Sequence, residues 1–152
     1  MSAVFSKLNL KDQTEILVLN APASFELELA ALKGVAIRRH VPDIKAVAFS
    51  LAFVTTQKEV NALATAVGKK TQGDAVVWFA YPKGTSKKYT CEFNRDTGWA
   101  PLGKAGFEPV RMVAIDEDWS AVRFRRAAFI KTMTRDRSWA MSKEGKKKTA
   151  NK

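Results

Sequence analysis

Cysteine is almost missing from this sequence, and the single Cys91 has no partner for an internal disulfide. A disulfide-stapled secreted scaffold is therefore excluded, and a reducing compartment fits a lone thiol. Histidine is as scarce. His40 stands alone, with no orienting partner or nucleophile proposed by its neighbours, so a histidine-based acid/base centre is not legible. Cys91 likewise has no paired histidine that would make it a catalytic thiol. Long apolar runs are absent too. The longest uncharged stretch, Ala46 to Gln57, falls well short of the roughly 18–20 residues that cross a bilayer. The opening MSAVFSKLNLKDQTE carries no apolar leader, and the expectation is a cytoplasmic protein. Zinc knuckles, the aromatic motifs of RNA-recognition sheets and the KH glycine loop do not occur.

What the chain has is positive charge and enough apolar residues for a core. The 152 residues hold 26 Lys/Arg against 15 Asp/Glu, a net charge of +11, with 46% hydrophobic residues. That length suits one domain. From Lys131 to Lys152, eight Lys/Arg face only Asp136 and Glu144, so +6 of the excess lies in this segment. The division is a single domain over 1–130 and a basic, partly disordered C-terminal segment over 131–152. Such a segment is a solubilising terminus, or else an attractor for nucleic acid and other polyanions.

Strand and helix signals alternate. Ile16–Leu19 is a continuous apolar run stopped by Asn20-Ala21-Pro22, as a strand buried on both faces reads. Ser24 is placed as the N-cap of a short helix with Glu26 and Glu28 in its first turn, closed by Gly34. Val35–His40 is a second strand and Ala46–Val54 a third. Thr56-Gln57-Lys58-Glu59 has capping-box spacing and opens a helix ended by Gly68 or Gly73. Ala75–Tyr81 is a fourth strand. Thr90 could cap a helical segment toward Leu102, which Gly98 and Pro101 weaken. Val110–Ile115 and Ala121–Arg125 are too close for a parallel crossover and must pair antiparallel. Ala127–Thr134 reads as a short closing helix. The predicted fold is a three-layer α/β sandwich, mostly parallel, finished by an antiparallel hairpin.

That architecture resembles a reduced class I methyltransferase scaffold of Rossmann type. The blocks Trp78–Lys83 (WFAYPK) and Ala114–Ser120 (AIDEDWS), with Val122-Arg123-Phe124, also resemble an uncharacterised bacterial family known only as a domain of unknown function. The first resemblance implies a glycine-rich turn after the first strand and an acidic residue closing the second, to hold an adenosyl cofactor. The chain has Asn20-Ala21-Pro22-Ala23-Ser24 and Arg38-Arg39-His40 at those places, so cofactor binding is disfavoured and none is assigned.

Three candidate sites remain. The loop after the fourth strand, with Lys83, Thr85, Ser86, Lys87 and Lys88, has a composition suited to an anion, or is a solvated basic turn. Arg123, Arg125 and Arg126 either protect an edge strand from aggregation or join Arg111, Arg135 and Arg137 as a basic face for nucleic acid. Tyr81, Tyr89, Trp99 and Trp139 are potential base-stacking groups or ordinary packing residues. Asp116, Glu117 and Asp118 read as a polar hairpin turn rather than a metal site, with Trp119 packing over it. No catalytic or metal-ligating residue is assigned. The preferred expectation is a non-catalytic binding module; the alternatives are a non-specific nucleic-acid binder and a small-molecule enzyme or phosphate sensor at the lysine loop.

Overall fold

The computed structural model describes residues 3–91 and 98–130. Six strands form one sheet in the order β2-β1-β3-β4-β6-β5. These are β1 (Glu15–Leu19), β2 (Ala36–Arg38), β3 (Val47–Phe53), β4 (Thr71–Pro82), β5 (Phe107–Ala114) and β6 (Trp119–Arg126). The first four are mutually parallel, and β6 runs antiparallel to both β4 and β5. The expected mostly parallel α/β sheet with a terminal hairpin is present.

Burial on both faces explains the apolar runs. Along β4 the side chains alternate between two cores: Val77, Phe79 and Tyr81 enter one, Val76, Trp78 and Ala80 the other. The first core is covered by α3 (Gln57–Lys70) and α4 (Ala100–Lys104) through Val60, Ala64, Val67 and Leu102. The second is covered by α2 (Glu26–Ala30) through Leu29, and by α1 (Ala3–Lys7) through Phe5 with Leu8 just beyond.

Helix α1 escaped the sequence reading, although Phe5, Leu8 and Leu10 announce it. Asn9 takes a left-handed φ of 63°. The Leu10 amide then donates to the Phe5 carbonyl at 3.0 Å and the Asn9 amide to Ser6 at 3.1 Å. This is the Schellman ending, with asparagine standing where glycine is usual. The Trp78 indole N–H donates to the Leu8 carbonyl at 2.7 Å, tying the helix end to the sheet centre.

Several other elements differ from expectation. Ser24 does not cap a helix: the chain enters α2 through a 3-10 turn, Ala23–Phe25, with no side-chain cap. Helix α3 runs past Gly68 to Lys70, and Gly73 instead takes a φ of 59° near the start of β4, where its register with β3 breaks. Pro101 does not weaken α4 but sits in its first turn, where a missing N–H costs nothing. A 3-10 turn, Ala127–Phe129, stands where the closing helix was expected, and the rest of that segment lies outside the described residues, as does 92–97. The arginine-bearing strand is not an edge: β6 lies between β4 and β5. Edge protection falls to β5 instead. There Pro109 lacks a donor, Val110 is a bulge between Pro109 and Arg111, and Arg111 adds charge.

The capping box is formed as read. Thr56 Oγ1 accepts from the Glu59 amide at 3.2 Å, and Glu59 Oε1 accepts from the Thr55 and Thr56 amides at 2.9 and 3.1 Å. Thr56→Ala should lower stability by about 1 kcal/mol, read from the midpoint of urea unfolding at constant slope.

Candidate functional site

The strand order reverses between β1 and β3, because the chain leaves β1 for β2 on one side and returns to β3 on the other. Open α/β sheets bind ligands at such a switch point, outside the carboxyl ends of the strands. Here Asn20 follows β1 with a φ of 59°. A left-handed residue is thus required at this turn, and asparagine supplies it where glycine would be the easy choice. Its Nδ2 reaches across the switch point and donates to the Phe53 carbonyl at 3.4 Å. Below it Phe25 packs on Phe53 with ring centroids 5.0 Å apart. Sequence alone showed a missing glycine; only the backbone shows that its conformation was retained.

The end of β2 is closed by an ion pair. Arg39 donates from both terminal nitrogens to the two oxygens of Glu26, the first residue of α2, at 2.8 Å each. The contact holds the Glu26 carboxyl below, and the Arg39 guanidinium above, their ordinary values, in each case chiefly through the hydrogen bonds. Arg38 turns back along the sheet to Glu15 at 2.7 Å. The basic closure of β2 is therefore matched carboxylate for guanidinium, and it bridges β2 to the helix that follows β1. His40 is exposed beside it.

At the end of β4 the lysine loop is pinned to the hairpin turn. The Lys83 amide donates to the Asp118 carbonyl at 2.8 Å, the Ser86 hydroxyl to Asp118 Oδ1 at 2.8 Å, and the Tyr89 amide to Ser86 Oγ at 3.2 Å. The WFAYPK and AIDEDWS blocks thus meet in space. An anion at this loop would find the Ser86 hydroxyl engaged and a carboxylate beside it, while Thr85, Lys87 and Lys88 point to solvent as exposed residues. Asp116 Oδ1 accepts from the Asp118 and Trp119 amides at 2.8 and 2.9 Å, the local turn bonding expected of it. Among the described residues no three His, Cys, Asp or Glu side chains gather to hold a metal.

Of the aromatics read as either stacking or packing groups, Tyr81 and Trp99 are buried and Tyr89 is half-buried. Trp99 is buried among Phe79, Tyr81 and Phe124, and Tyr89 packs on the buried Trp119 at 4.9 Å. Trp139, Arg135 and Arg137 lie outside the described residues. Of the remaining arginines, Arg126 is turned inward. It lies 4.6 Å over the Phe107 ring and donates to the Gly68 carbonyl at 2.9 Å and to Thr71 Oγ1 at 2.7 Å, closing the end of α3. Arg125 grips Asp74 through Nε and Nη2 at 2.8 and 2.6 Å. The hydrogen bonds from Arg125 hold the Asp74 carboxyl below its usual value. Arg123 and Arg111 make no ion pair with a carboxylate among the described residues, although Asp74 also attracts Arg123.

No family model matches the sequence, and neither does any curated protein. Solved structures do match the fold. A SAM-dependent methyltransferase from Aquifex aeolicus aligns with a TM-score of 0.53 and 14% identity, over 80% of this chain and 87% of its own. The N-methyltransferase NodS from Bradyrhizobium japonicum aligns at 0.50 and 10%, over 80% and 91%. A "possible exported protein" from Bordetella parapertussis aligns at 0.54 and 10%, over 81% of this chain and 65% of its own. The chain therefore has a methyltransferase-like fold, and no helix among its described residues is long and apolar enough to cross a membrane.

Two outcomes follow, one for Asn20 at this end of the sheet and one for Asp74 near the start of β4, at the other end. Asn20→Val should cost about 1–2 kcal/mol, the penalty of a branched residue in the left-handed region, whereas Asn20→Gly should stay within about 0.5 kcal/mol; chemical denaturation compares them. Because Asp74 has a depressed folded value, its pairing stabilises fully above the ordinary aspartate range near 3.8 and fades as pH falls below it. The difference between wild type and Asp74→Asn, under about 1 kcal/mol for so exposed a pair, should therefore be present at neutral pH and vanish in acid.

Proposed function

We propose that this chain is a non-catalytic binding module on a methyltransferase-like scaffold whose adenosyl site has been closed. The observation that carries the reading is the bidentate Arg39–Glu26 pair, which spans from the end of β2 to the start of α2. In folds of this kind an acidic side chain at the end of the second strand takes the ribose hydroxyls. Here that end offers a guanidinium whose two terminal nitrogens each donate to a carboxylate of the neighbouring helix. A ribose reaching the Glu26 carboxylate would have to displace the Arg39 guanidinium and break two charge-assisted hydrogen bonds. Asn20 and Pro22 add side-chain bulk where the backbone of a glycine turn would approach the ligand.

Further points support a binding role over chemistry. The carboxylates at the sheet end are used in structure: Glu59 in a capping box, Asp116 in a turn, Asp118 on Ser86. The Lys83–Lys88 loop, as a phosphate sensor, would set its charge against Asp118, which favours the non-catalytic reading over the sensor. The reading takes 1–130 as the domain and the basic 131–152 segment as an accessory for polyanions, in a reducing, cytoplasmic setting consistent with one thiol.

Titration with S-adenosylmethionine and with S-adenosylhomocysteine, followed by thermal melting, tests the proposal. No saturable rise in melting temperature is expected. A ligand at 100 times its Kd would add about 2.7 kcal/mol, several degrees for a domain of this size, and such a rise would overturn the reading.

A further inference from the structure

The face of the sheet that carries α1 continues, beyond Trp78, into a patch of arginines. Arg123 of β6 is flanked in register by Trp78 on β4 and by Arg111 on β5. Directly opposed residues of an antiparallel pair emerge on the same face, with Cα atoms about 4.5–5.5 Å apart. Like charges so opposed are destabilising. Two residues along β6 is Arg125, whose charge Asp74 takes up. Three guanidiniums thus share one carboxylate, and Arg111 and Arg123 make no hydrogen bond or ion pair among the described residues. The Nε of Arg123 is buried with no hydrogen-bond partner among the described residues. Burial, and after it the neighbouring guanidiniums, press the Arg123 group below its ordinary value. At the far end of the strip Lys7, closing α1, donates to the Ala114 carbonyl of β5 at 3.2 Å, so the positive charge extends along the edge strand.

An opposed and unmatched pair of forks is what a phosphate needs. Its non-bridging oxygens accept from two guanidiniums at once, and Arg presents a planar fork that Lys does not. The patch runs as a strip along the flank of the sheet, which suits a polymer of repeated charge better than a single small anion. We propose that Arg111 and Arg123 form a phosphate-binding site for the backbone of a nucleic acid, laid along the β5–β6 face. The site deepens the reading of the chain as a binding module, and rests on it, by naming the partner. Contact is to the backbone, which carries no sequence information, because Trp99 and Tyr81 are buried in the opposite core and unavailable to stack on bases.

Fluorescence anisotropy of the full chain with labelled single-stranded RNA, single-stranded DNA and duplex DNA tests this, at about 50 and 200 mM salt. Arg111→Gln and Arg123→Gln should each weaken binding several-fold and reduce the salt slope by about one. Arg38→Gln removes the same charge from a site already balanced by Glu15 and should leave both unchanged. Arg111 is exposed on the edge strand, so its variant keeps the fold even should Arg123→Gln lower stability, and melting curves check this. Dependence on the two arginines with either RNA or DNA supports the site. Wild-type affinity and slope in the double variant would assign binding elsewhere and overturn it. So would no binding at the lower salt, or binding confined to vesicles of anionic phospholipid. A melting shift with the adenosyl ligands would sink the module reading without touching these arginines, so the two failures are distinguishable.

Discussion

The structure depends on a sheet that is covered on both faces. From Phe49 in β3 and from Ala75 in β4 the strands are covered on both faces, so apart from Ser50 their residues are apolar in both parities: Phe49, Leu51 and Phe53 fill one core, Ala52 and the following Val54 the other. Parallel strands buried in this way leave polar chemistry nowhere to go except the strand ends and the margins of the sheet. That constraint explains why the polar candidate groups among the described residues sit either at the carboxyl ends of β1 to β4 or on the flank formed by β5 and β6.

At the carboxyl ends the polar groups are engaged with one another. Asn20 crosses to Phe53, Arg39 locks to Glu26, Glu59 gathers the amides of Thr55 and Thr56, and Ser86 serves Asp118. All but the Glu59 capping box join segments distant in the sequence. On the proposed reading such an arrangement resists an adenosyl ligand, because binding must first undo hydrogen bonds that cost little to keep and more to leave unmade. The flank is different. There the charge is in excess, and the fold tolerates Arg111 opposite Arg123 with only Asp74, already gripped by Arg125, to offset them among the described residues.

The strong net charge is therefore not one property but several. Arg126 closes a helix end, Arg125 joins β6 to the bowed start of β4, and Arg38 and Arg39 fasten β2. Counting cations along the sequence could not separate these from the unmatched pair. Arg123, Arg125 and Arg126 are nearly adjacent in sequence, yet they meet a guanidinium, a carboxylate and an aromatic ring respectively.

Local physics was legible in the residues themselves. The apolar runs declared buried strands, Thr56 and Glu59 declared a helix start, and the short Asp116–Ser120 connection forced an antiparallel hairpin, because these features depend on neighbours within a few positions. Non-local pairing was not legible. The placement of β6 inside the sheet, the burial of Trp99, the left-handed Asn20 and the matching of Arg39 to Glu26 arise from contacts between distant segments. A charge or a turn conformation carries no mark in sequence of what will stand opposite it, so the composition of the strands was determined by the chain alone, and the use of each polar group by the tertiary fold.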